Sequence, residues 1–523
     1  MKKFKRLVAV TAASCMLCAP LALTGCANKD NTVVLRVCSW EEYIDLGGWD
    51  EDERIDIENP FAEDPEDGIF GENSMVDDFT EWFNENHDYS IRVEYSTFGT
   101  NEDLYNRLSL GDVYDLVCPS DYMIMKLLSE DACVEYSDEF WDLDNEENYY
   151  ANYVSRYIDG ADDSVYNQPE YDWHKKAACY MWGTTGLVYN PEIVEDEKDV
   201  ATWQMLLNSD YKRQVTIKDN VRDAYFAALG IVYNDLLTDE NISPEKRADL
   251  MNDVSPDAIS AAEDVLKQIK ENVYSFETDS GKADMVTGKV VANFQWSGDA
   301  VYIMDEADDD DTELWYSVPD ECANLWFDGW VMLKKGVGED AKKKEAAEAF
   351  VNFLSRPDNA VRNMYYIGYT SAIAGNSECS TVFDYMEWNY GADEDVDEAD
   401  MGEYDLRYFF GTETSYLTVD MSLFGFEGEW EDGNINRGRQ LFAQYPPENV
   451  IDRSVVMLDF GDKLADLNRM WINVRCFDVS EISPVTIGVT AGVIVLAAAA
   501  ICLYSFRYKI FITGKPKKGY KKV

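Results

Sequence analysis

Segments of strand and helix character alternate from Val33 to Cys118. Val33–Trp40, Ser90–Phe98 and Tyr114–Cys118 have strand patterns, whereas Asn101–Leu108 and the region around Trp82 have helical spacing. Strands separated by helices can pair in parallel, because the helix carries the chain back to the same edge of the sheet. This alternation predicts an α/β fold with a largely parallel sheet, in which ligands bind beyond the carboxyl ends of the strands.

A second unit of the same kind begins near Ala178–Asn190. It is followed by a strand at Val215–Lys218, a helix at Val221–Leu229 and a helix over Asp257–Asn272. A chain of 523 residues is long enough for more than one hydrophobic core. We therefore expect two α/β lobes.

The stretch Val290 to Leu333 holds two tryptophans that each precede a carboxylate by two or three residues. Trp296 is followed by Asp299, and Trp326 is followed by Asp328. An indole face beside a carboxylate suits an alkylammonium ion, since the carboxylate pairs with the charge and the ring attracts it and covers the methylenes. The alternative is that both tryptophans are core residues and both aspartates are turn residues.

The two ends of the chain predict export and anchoring. Residues 1–26 have the basic, apolar and small-residue regions of a signal peptide, and their ending, Leu-Thr-Gly-Cys, resembles a lipoprotein signal that would be lipidated at Cys26. Residues 484–506 are uncharged and long enough to span a bilayer. Residues 507–523 are basic and predict a cytoplasmic tail by the positive-inside rule. The intervening chain is expected on the extracellular face of the cell membrane.

Acidic residues dominate the composition: 101 Asp and Glu face 45 Lys and Arg, for a formal net charge of −56. Such a surface repels nucleic acid and attracts small cations. Two acidic segments, Asp45–Asn73 and Gly391–Asp405, are expected to be surface insertions. Seven cysteines lie between Cys26 and the apolar run, an odd number that leaves at least one free thiol.

A series of short motifs follows one another along the chain: Ser39-Trp-Glu-Glu-Tyr43, Tyr95-Ser-Thr-Phe98 with Asn101-Glu102, Tyr114-Asp-Leu-Val-Cys-Pro-Ser-Asp-Tyr122, Trp182-Gly183, Asp219-Asn-Val-Arg-Asp223, Trp296-Ser-Gly-Asp299, Trp326-Phe-Asp328 and Ile367-Gly-Tyr369. In this order the motifs resemble those of the spermidine/putrescine (polyamine)-binding proteins of ABC importers. The resemblance covers about residues 33–370 and more faintly 440–475.

The resemblance implies a two-lobed periplasmic-binding-protein-like fold of type II, each lobe a mostly parallel sheet flanked by helices, which closes over an extended polyamine. The N-terminal lobe would hold residues 33–180 and 330–370, and the C-terminal lobe residues 181–329 and 371–478. An aromatic box is implied at Trp40, Tyr43, Tyr122, Trp296, Trp326 and Tyr369. Ammonium groups would be received by Glu42, Asp223, Asp299 and Asp328, with Ser120 as a hydrogen-bond partner.

The chain departs from the family pattern at three positions. Asn220 stands where spermidine-preferring members carry Asp, Asp299 matches putrescine-preferring members, and Glu41 replaces a small hydroxyl residue. The resemblance therefore implies a putrescine or spermidine receptor that leans toward putrescine. It would deliver its ligand to a membrane permease as a monomer, without a cofactor.

Three other functions are open from the sequence. An enzyme is disfavoured, because the chain has two histidines and none of the common catalytic motifs, although a carboxylate-pair glycosidase is compatible with so many acids. Ferric-ion binding is suggested by two tyrosine pairs, Tyr149-Tyr150 and Tyr365-Tyr366. A calcium-dependent surface protein is suggested by the acidic run Asp308–Asp311, which lacks the spacing of an EF-hand.

Overall fold

A computed structural model describes residues 32–159, 173, 175–393, 395–411, 414–424 and 435–476. The signal peptide with Cys26, the apolar run 484–506 and the basic tail 507–523 lie outside these residues. No helix in the described ranges is both long and apolar enough to cross a membrane. The described residues between 32 and 464 form one compact unit, and a second unit begins at Ala465 and is described as far as residue 476, as part of a terminal helix.

The described part of the chain contains strands and helices throughout. The strands are β1 (Val33–Trp40), β2 (Ile91–Phe98), β3 (Leu116–Val117), β4 (Cys133–Val134), β5 (Ala177–Tyr189), β6 (Val215–Lys218), β7 (Ser275–Glu277), β8 (Ala292–Trp296), β9 (Trp315–Ser317), β10 (Leu325–Leu333), β11 (Thr370–Ser371), β12 (Met401–Asp405), β13 (Tyr416–Asp420) and β14 (Arg437–Gly438). The α-helices are α1 (Met75–Asn86), α2 (Asn101–Leu110), α3 (Asp121–Ser129), α4 (Tyr149–Tyr153), α5 (Arg156–Asp159), α6 (Val221–Val232), α7 (Asn234–Leu237), α8 (Pro244–Met251), α9 (Pro256–Asn272), α10 (Ser280–Val286), α11 (Ser297–Asp309), α12 (Lys334–Val337), α13 (Ala341–Leu354), α14 (Pro357–Ile367), α15 (Thr381–Tyr390), α16 (Arg407–Phe410), α17 (Gln440–Gln444), α18 (Glu448–Ile451) and α19 (Leu464–Arg475).

The main sheet is mixed, with strand order β2-β1-β3-β10-β5-β8-β6-β7. As the alternation predicts, β1 pairs in parallel with β2 and β3, and β6 pairs in parallel with β7 and β8. The expectation of mostly parallel sheets is wrong in the middle, where β10 runs antiparallel to β3 and β5, and β5 runs antiparallel to β8. Strand β10 therefore runs opposite to β1, β2 and β3, whereas β5 runs opposite to β6, β7 and β8.

Strand β5 belongs to both halves of the sheet. Residues 177–184 pair with β10, and residues 185–189 pair with β8, while 187–189 also pair with β9. All 13 residues of β5 are buried, which explains its continuous apolar and small-residue sequence. The crossing strands thus connect a half built on β1 to one built on β6.

The acidic segment at 45–73 lies at the surface, as expected of an insertion, and is anchored to the protein by a few buried residues. Asp45 forms a buried ion pair with Arg362 of α14, and its Oδ1 accepts a 3.1 Å hydrogen bond from the indole of Trp49. Ile55 and Ile69 are also buried and pair as an isolated antiparallel bridge. The acidic side chains cover the outside of an anchored loop. The second segment, 391–405, includes β12, which forms a hairpin with β13.

The seven cysteines from Cys38 to Cys476 are all free thiols, which agrees with the prediction of at least one. Cys118 and Cys179 are buried, as expected of small core residues. Burial raises the pKa of both thiols well above the ordinary value. These groups therefore stay protonated and serve as core packing.

Candidate functional site

The predicted site residues lie in or near strands of the central sheet and the ends of the helices beside them. Trp40 ends β1, Ser120 precedes α3, and Trp296 ends β8 and directly precedes α11. Trp326 and Asp328 lie inside β10 and not in a turn, because this strand begins at Leu325. Tyr369 follows α14, whose final turn is closed by Gly368 in the left-handed conformation (φ 78°).

Asp328 is a buried carboxylate with one satisfied oxygen. Its Oδ2 accepts a 2.7 Å hydrogen bond from the hydroxyl of Tyr43, whereas Oδ1 is buried without a hydrogen-bond partner among the described residues. Burial raises the pKa of Asp328 to about 6, against the opposing effect of the nearby Ser120 and Tyr43 hydroxyls. Burial and the adjacent Asp328 carboxylate together raise the pKa of Tyr43, so its hydroxyl remains a donor.

Three aromatic rings form a wall beside Asp328. The ring of Tyr369 packs edge-on against Tyr43, with centroids 5.1 Å apart, and against Trp326 at 5.6 Å. The indole Nε1 of Trp326 donates a 3.1 Å hydrogen bond to the carbonyl of Thr184, which fixes the ring. A Cβ on Gly298 would overlap the ring of Tyr369, so α11 approaches this wall closely only because Gly298 has no side chain.

Asp299, in the first turn of α11, is already paired with cations of the chain. Its Oδ1 lies 3.2 Å from Nζ of Lys282 and its Oδ2 lies 3.7 Å from Nζ of Lys218, and the hydroxyl of Tyr369 donates to Oδ1 at 3.0 Å. Burial alone would raise the pKa of Asp299, but Lys282 and Lys218 hold it below its usual value. This carboxylate is ionised and neutralised within the protein.

Trp296 and Asp223 both lie near one of these cations, Lys218. The ammonium of Lys218 lies 4.0 Å from the centre of the Trp296 ring, a cation–π contact. The Oδ2 atom of Asp223 accepts a 2.5 Å hydrogen bond from Nδ2 of Asn220. Burial raises the pKa of Asp223, while Asn220, Lys218 and Trp296 oppose that rise. Asn220 therefore acts as the N-cap of α6 and as the partner of Asp223.

Ser120 and Tyr122 are held by Asn101 of α2. The Nδ2 group of Asn101 donates to Ser120 Oγ at 3.0 Å and to the Tyr122 hydroxyl at 2.8 Å. The guanidinium of Arg222 covers the Tyr122 ring at 3.8 Å and donates to the carbonyl of Leu458. One face of the predicted aromatic box is thus covered by an arginine of the chain itself.

Trp40 packs on Phe98, and Glu42 faces Lys282. The Trp40 ring packs on Phe98 at 4.7 Å, and its indole nitrogen is buried without a hydrogen-bond partner among the described residues. Glu42 has a positive φ of 54° and a largely exposed side chain, whose carboxylate lies 3.9 Å from Nζ of Lys282. Glu42 lies just after β1, as the sequence predicts, but its carboxylate faces Lys282.

Sequence reasoning missed the basic residues of this region. Lys218 is a fully buried lysine at the end of an apolar strand, and that unusual placement was the available signal. Lys282 and Arg222 gave no comparable signal, because their partners lie far away along the chain.

The residues that suggested ferric-ion or calcium binding have structural partners. Tyr150 is a buried donor to Asp159 at 3.0 Å, and Tyr365 packs against Trp49 with centroids 4.8 Å apart. Asp308 accepts two hydrogen bonds from Arg439, at 2.5 and 2.6 Å. Core packing and an ion pair therefore account for the residues that suggested ferric-ion or calcium binding.

The sequence is similar to those of known proteins. The family model of the bacterial extracellular solute-binding proteins matches residues 75–382. The spermidine/putrescine-binding periplasmic protein of Escherichia coli K12 is 29% identical over 281 residues, or 53% of this chain and 70% of that protein. The putrescine-binding periplasmic protein of the same organism is 26% identical over 294 residues, or 54% and 71% of the two chains.

Solved structures agree on the fold. The spermidine/putrescine ABC transporter substrate-binding protein of Streptococcus pneumoniae has a TM-score of 0.51 and 21% identity, covering 85% of this chain and 99% of its own. A lipoprotein of Treponema pallidum has a TM-score of 0.50 and 16% identity, covering 84% and 99%. This likeness confirms a periplasmic-binding-protein-like α/β fold, with the mixed sheet described above.

The matched family model spans more than half of the chain, and the family consists of extracytoplasmic proteins that bind solutes and catalyse no reaction. The resemblance found in the motifs is therefore confirmed at the level of the family: the chain belongs to the bacterial extracellular solute-binding proteins.

Proposed function

We propose that this protein binds a polyamine between two lobes and delivers it to an ABC permease. The observation that carries the proposal is the buried Oδ1 of Asp328, which has no hydrogen-bond partner among the described residues and lies beside Tyr43, Trp326 and Tyr369. A buried polar atom without a partner costs about 1–3 kcal/mol, and a ligand ammonium that donates to it would remove that cost.

The surrounding rings suit the rest of such a ligand. Aromatic faces attract an ammonium ion and cover its methylene groups, each cation–π contact contributing about 0.5–2 kcal/mol. The relatives named above carry spermidine or putrescine in their names, which supports this choice of ligand. The residues proposed to bind it remain those of the sequence prediction: Trp40, Glu42, Tyr43, Ser120, Tyr122, Asp223, Trp296, Asp299, Trp326, Asp328 and Tyr369.

Access to the cluster requires movement. Tyr43, Asp299, Trp326 and Asp328 are each at most 6% exposed, so a ligand reaches them only when the surrounding elements separate. We infer a hinge at β5 and β10 between a lobe of residues 33–180 with 330–370 and a lobe of residues 181–329 with 371–478. Ligand capture would then be closure of these lobes, without covalent chemistry.

Anchoring also belongs to the proposal. Lipidation at Cys26 and a span at 484–506 would keep a monomeric receptor on the extracellular face of the membrane and raise its effective concentration near the permease. The test is uptake by cells that produce the chain without residues 483–523. Slower uptake with unchanged ligand affinity is expected, and unchanged uptake and surface retention would contradict a role for this segment.

Calorimetric titration of the full-length protein in detergent tests the ligand. Putrescine and spermidine are expected to bind saturably at one site, whereas a neutral diol of matched length is not expected to bind. Asp328→Asn should abolish binding, whereas Asp310→Asn, which removes an exposed acid, should leave it unchanged. Weak, salt-screened binding at many sites would instead mean that polyamines only associate with an acidic surface.

A further inference from the structure

Lys218 occupies a position that would suit a ligand ammonium. It is the last residue of β6, its side chain is fully buried, and its Nζ donates a 2.9 Å hydrogen bond to the carbonyl of Thr278. The same ammonium lies 4.0 Å from the centre of the Trp296 ring and 3.7 Å from Asp299. A ring face and a carboxylate on one cation are the pair of contacts that the sequence assigned to the ligand.

Lys282 adds a second internal cation. Its Nζ lies 3.2 Å from the other oxygen of Asp299 and 3.9 Å from the exposed Glu42, and it faces the Tyr302 ring at 5.6 Å. Its side chain is one-fifth exposed, against none for Lys218. Asp299 thus has a protein ammonium on each oxygen, together with the Tyr369 hydroxyl.

The Asp328 end of the cluster has the opposite character. No lysine or arginine of the described chain pairs with Asp328, and its Oδ1 has no donor there. The two carboxylates are connected through aromatic side chains, since Tyr43 donates to Asp328, Tyr369 donates to Asp299, and the two rings touch. One end of the cluster therefore lacks a cation, whereas the other already holds two.

We propose that Lys218 and Lys282 determine specificity by supplying, from the protein, the cation at the Trp296–Asp299 end, so that the cargo needs an ammonium group only at Asp328. This inference rests on the proposed function and narrows its substrate class. The favoured cargo is a short amine with one obligatory ammonium group, whose other end is tolerated as an uncharged amide. A ligand with further ammonium groups meets two like charges there and binds more weakly.

The test compares ligands that differ in one charge. Putrescine, N-acetylputrescine and spermidine are titrated into the full-length wild-type protein and into Lys218→Met and Lys282→Gln variants. Lys289→Gln is the matched control, because Lys289 is a half-exposed lysine that pairs with Asp284 and not with Asp299. The ratio of two dissociation constants within one variant cancels any uniform effect of the substitution on the fold.

In the wild type, N-acetylputrescine should bind at least as tightly as putrescine, and spermidine should bind more weakly than either, because each added ammonium group meets the charges of Lys218 and Lys282. In Lys218→Met and in Lys282→Gln, the dissociation constant of N-acetylputrescine divided by that of putrescine should rise about tenfold. Both variants should also bind spermidine more tightly, because Asp299 then requires a cation from the ligand. Lys289→Gln should leave the ratio unchanged. If Lys218→Met does not fold, the same comparison is made with Lys282→Gln, because Lys282 is partly exposed.

A wild-type protein that discriminates strongly against N-acetylputrescine, with the same ratio in both lysine variants, would overturn the inference while leaving polyamine binding intact. Failure of all three amines to bind folded wild-type protein would overturn the proposed function and this inference with it. The two failures are therefore distinguishable.

Discussion

The hydroxyl of Tyr43 donates a 2.7 Å hydrogen bond to Asp328 across 285 residues of chain. One partner follows the first strand of the sheet and the other lies inside β10, so the bond forms only when the sheet is complete. It satisfies one oxygen of the carboxylate and orients the other.

Replacement of Tyr43 by Phe should weaken amine binding about tenfold, which is the effect of losing one charge-assisted hydrogen bond. The ring contacts with Tyr369 and Tyr180 are kept, so the fold should be retained. Calorimetry measures the effect. The control is Tyr89→Phe, which removes a hydroxyl that donates to Lys342 and Glu345. Equal losses in the two variants would contradict a specific role for Tyr43.

Ligand affinity should depend on pH between about 5 and 7. The pKa of Asp328 is raised to about 6, so below that pH the ligand-free carboxyl is protonated and must lose a proton to receive an ammonium. Affinity should therefore fall about tenfold per pH unit below 6 and be flat above it. Asp121, whose pKa is raised to about 8 by burial, is protonated throughout this window and contributes no slope. Titrations at four pH values check this, and a flat profile would contradict it.

Asp328→Asn should stabilise the ligand-free protein at pH 7.5 although it abolishes binding. A carboxyl whose pKa rises from 3.8 to about 6 on folding binds more protons when folded, so its ionisation costs about 3 kcal/mol of folding free energy above pH 6. That cost is absent below pH 3.8, where both states are protonated. Melting temperatures without ligand should show the gain at pH 7.5 and a much smaller one at pH 4.5. A variant less stable at pH 7.5 would argue against this cost.

The buried ion pair between Asp45 and Arg362 should be sensitive to loss of one partner. Arg362→Met leaves Asp45 buried, where burial already raises its pKa against the opposing effect of Arg362, and should cost about 3–5 kcal/mol. The double variant Asp45→Asn with Arg362→Met should recover part of that loss, because no buried charge is left unpaired. Denaturant unfolding gives the three values. An additive double variant would indicate that the pair is not coupled.

The sequence predicts which strand ends carry the candidate site but not how the charges there pair. Hydrophobic patterns are local, so β1, β6 and α9 are recognisable from their own residues. The sequence named Asp328 as a candidate because it follows Trp326. Its position inside a buried strand was not predictable, because that position depends on pairing with β5. The Lys218–Asp299 and Lys282–Asp299 pairs depend on how separate elements meet, and no local pattern encodes that. The buried Asp45–Arg362 pair that anchors the acidic loop was missed for the same reason.

Strand β10 lies between β3 and β5 in the sheet, yet it is made some 140 residues after β5 and some 200 after β3. A ribosome adding about 5–20 residues per second therefore completes β1, β2 and β3 at least ten seconds before the strand that covers their open edge. During that interval the first half of the sheet has an unpaired edge and cannot reach its final form. The late strand therefore postpones completion of the sheet until most of the protein has been made.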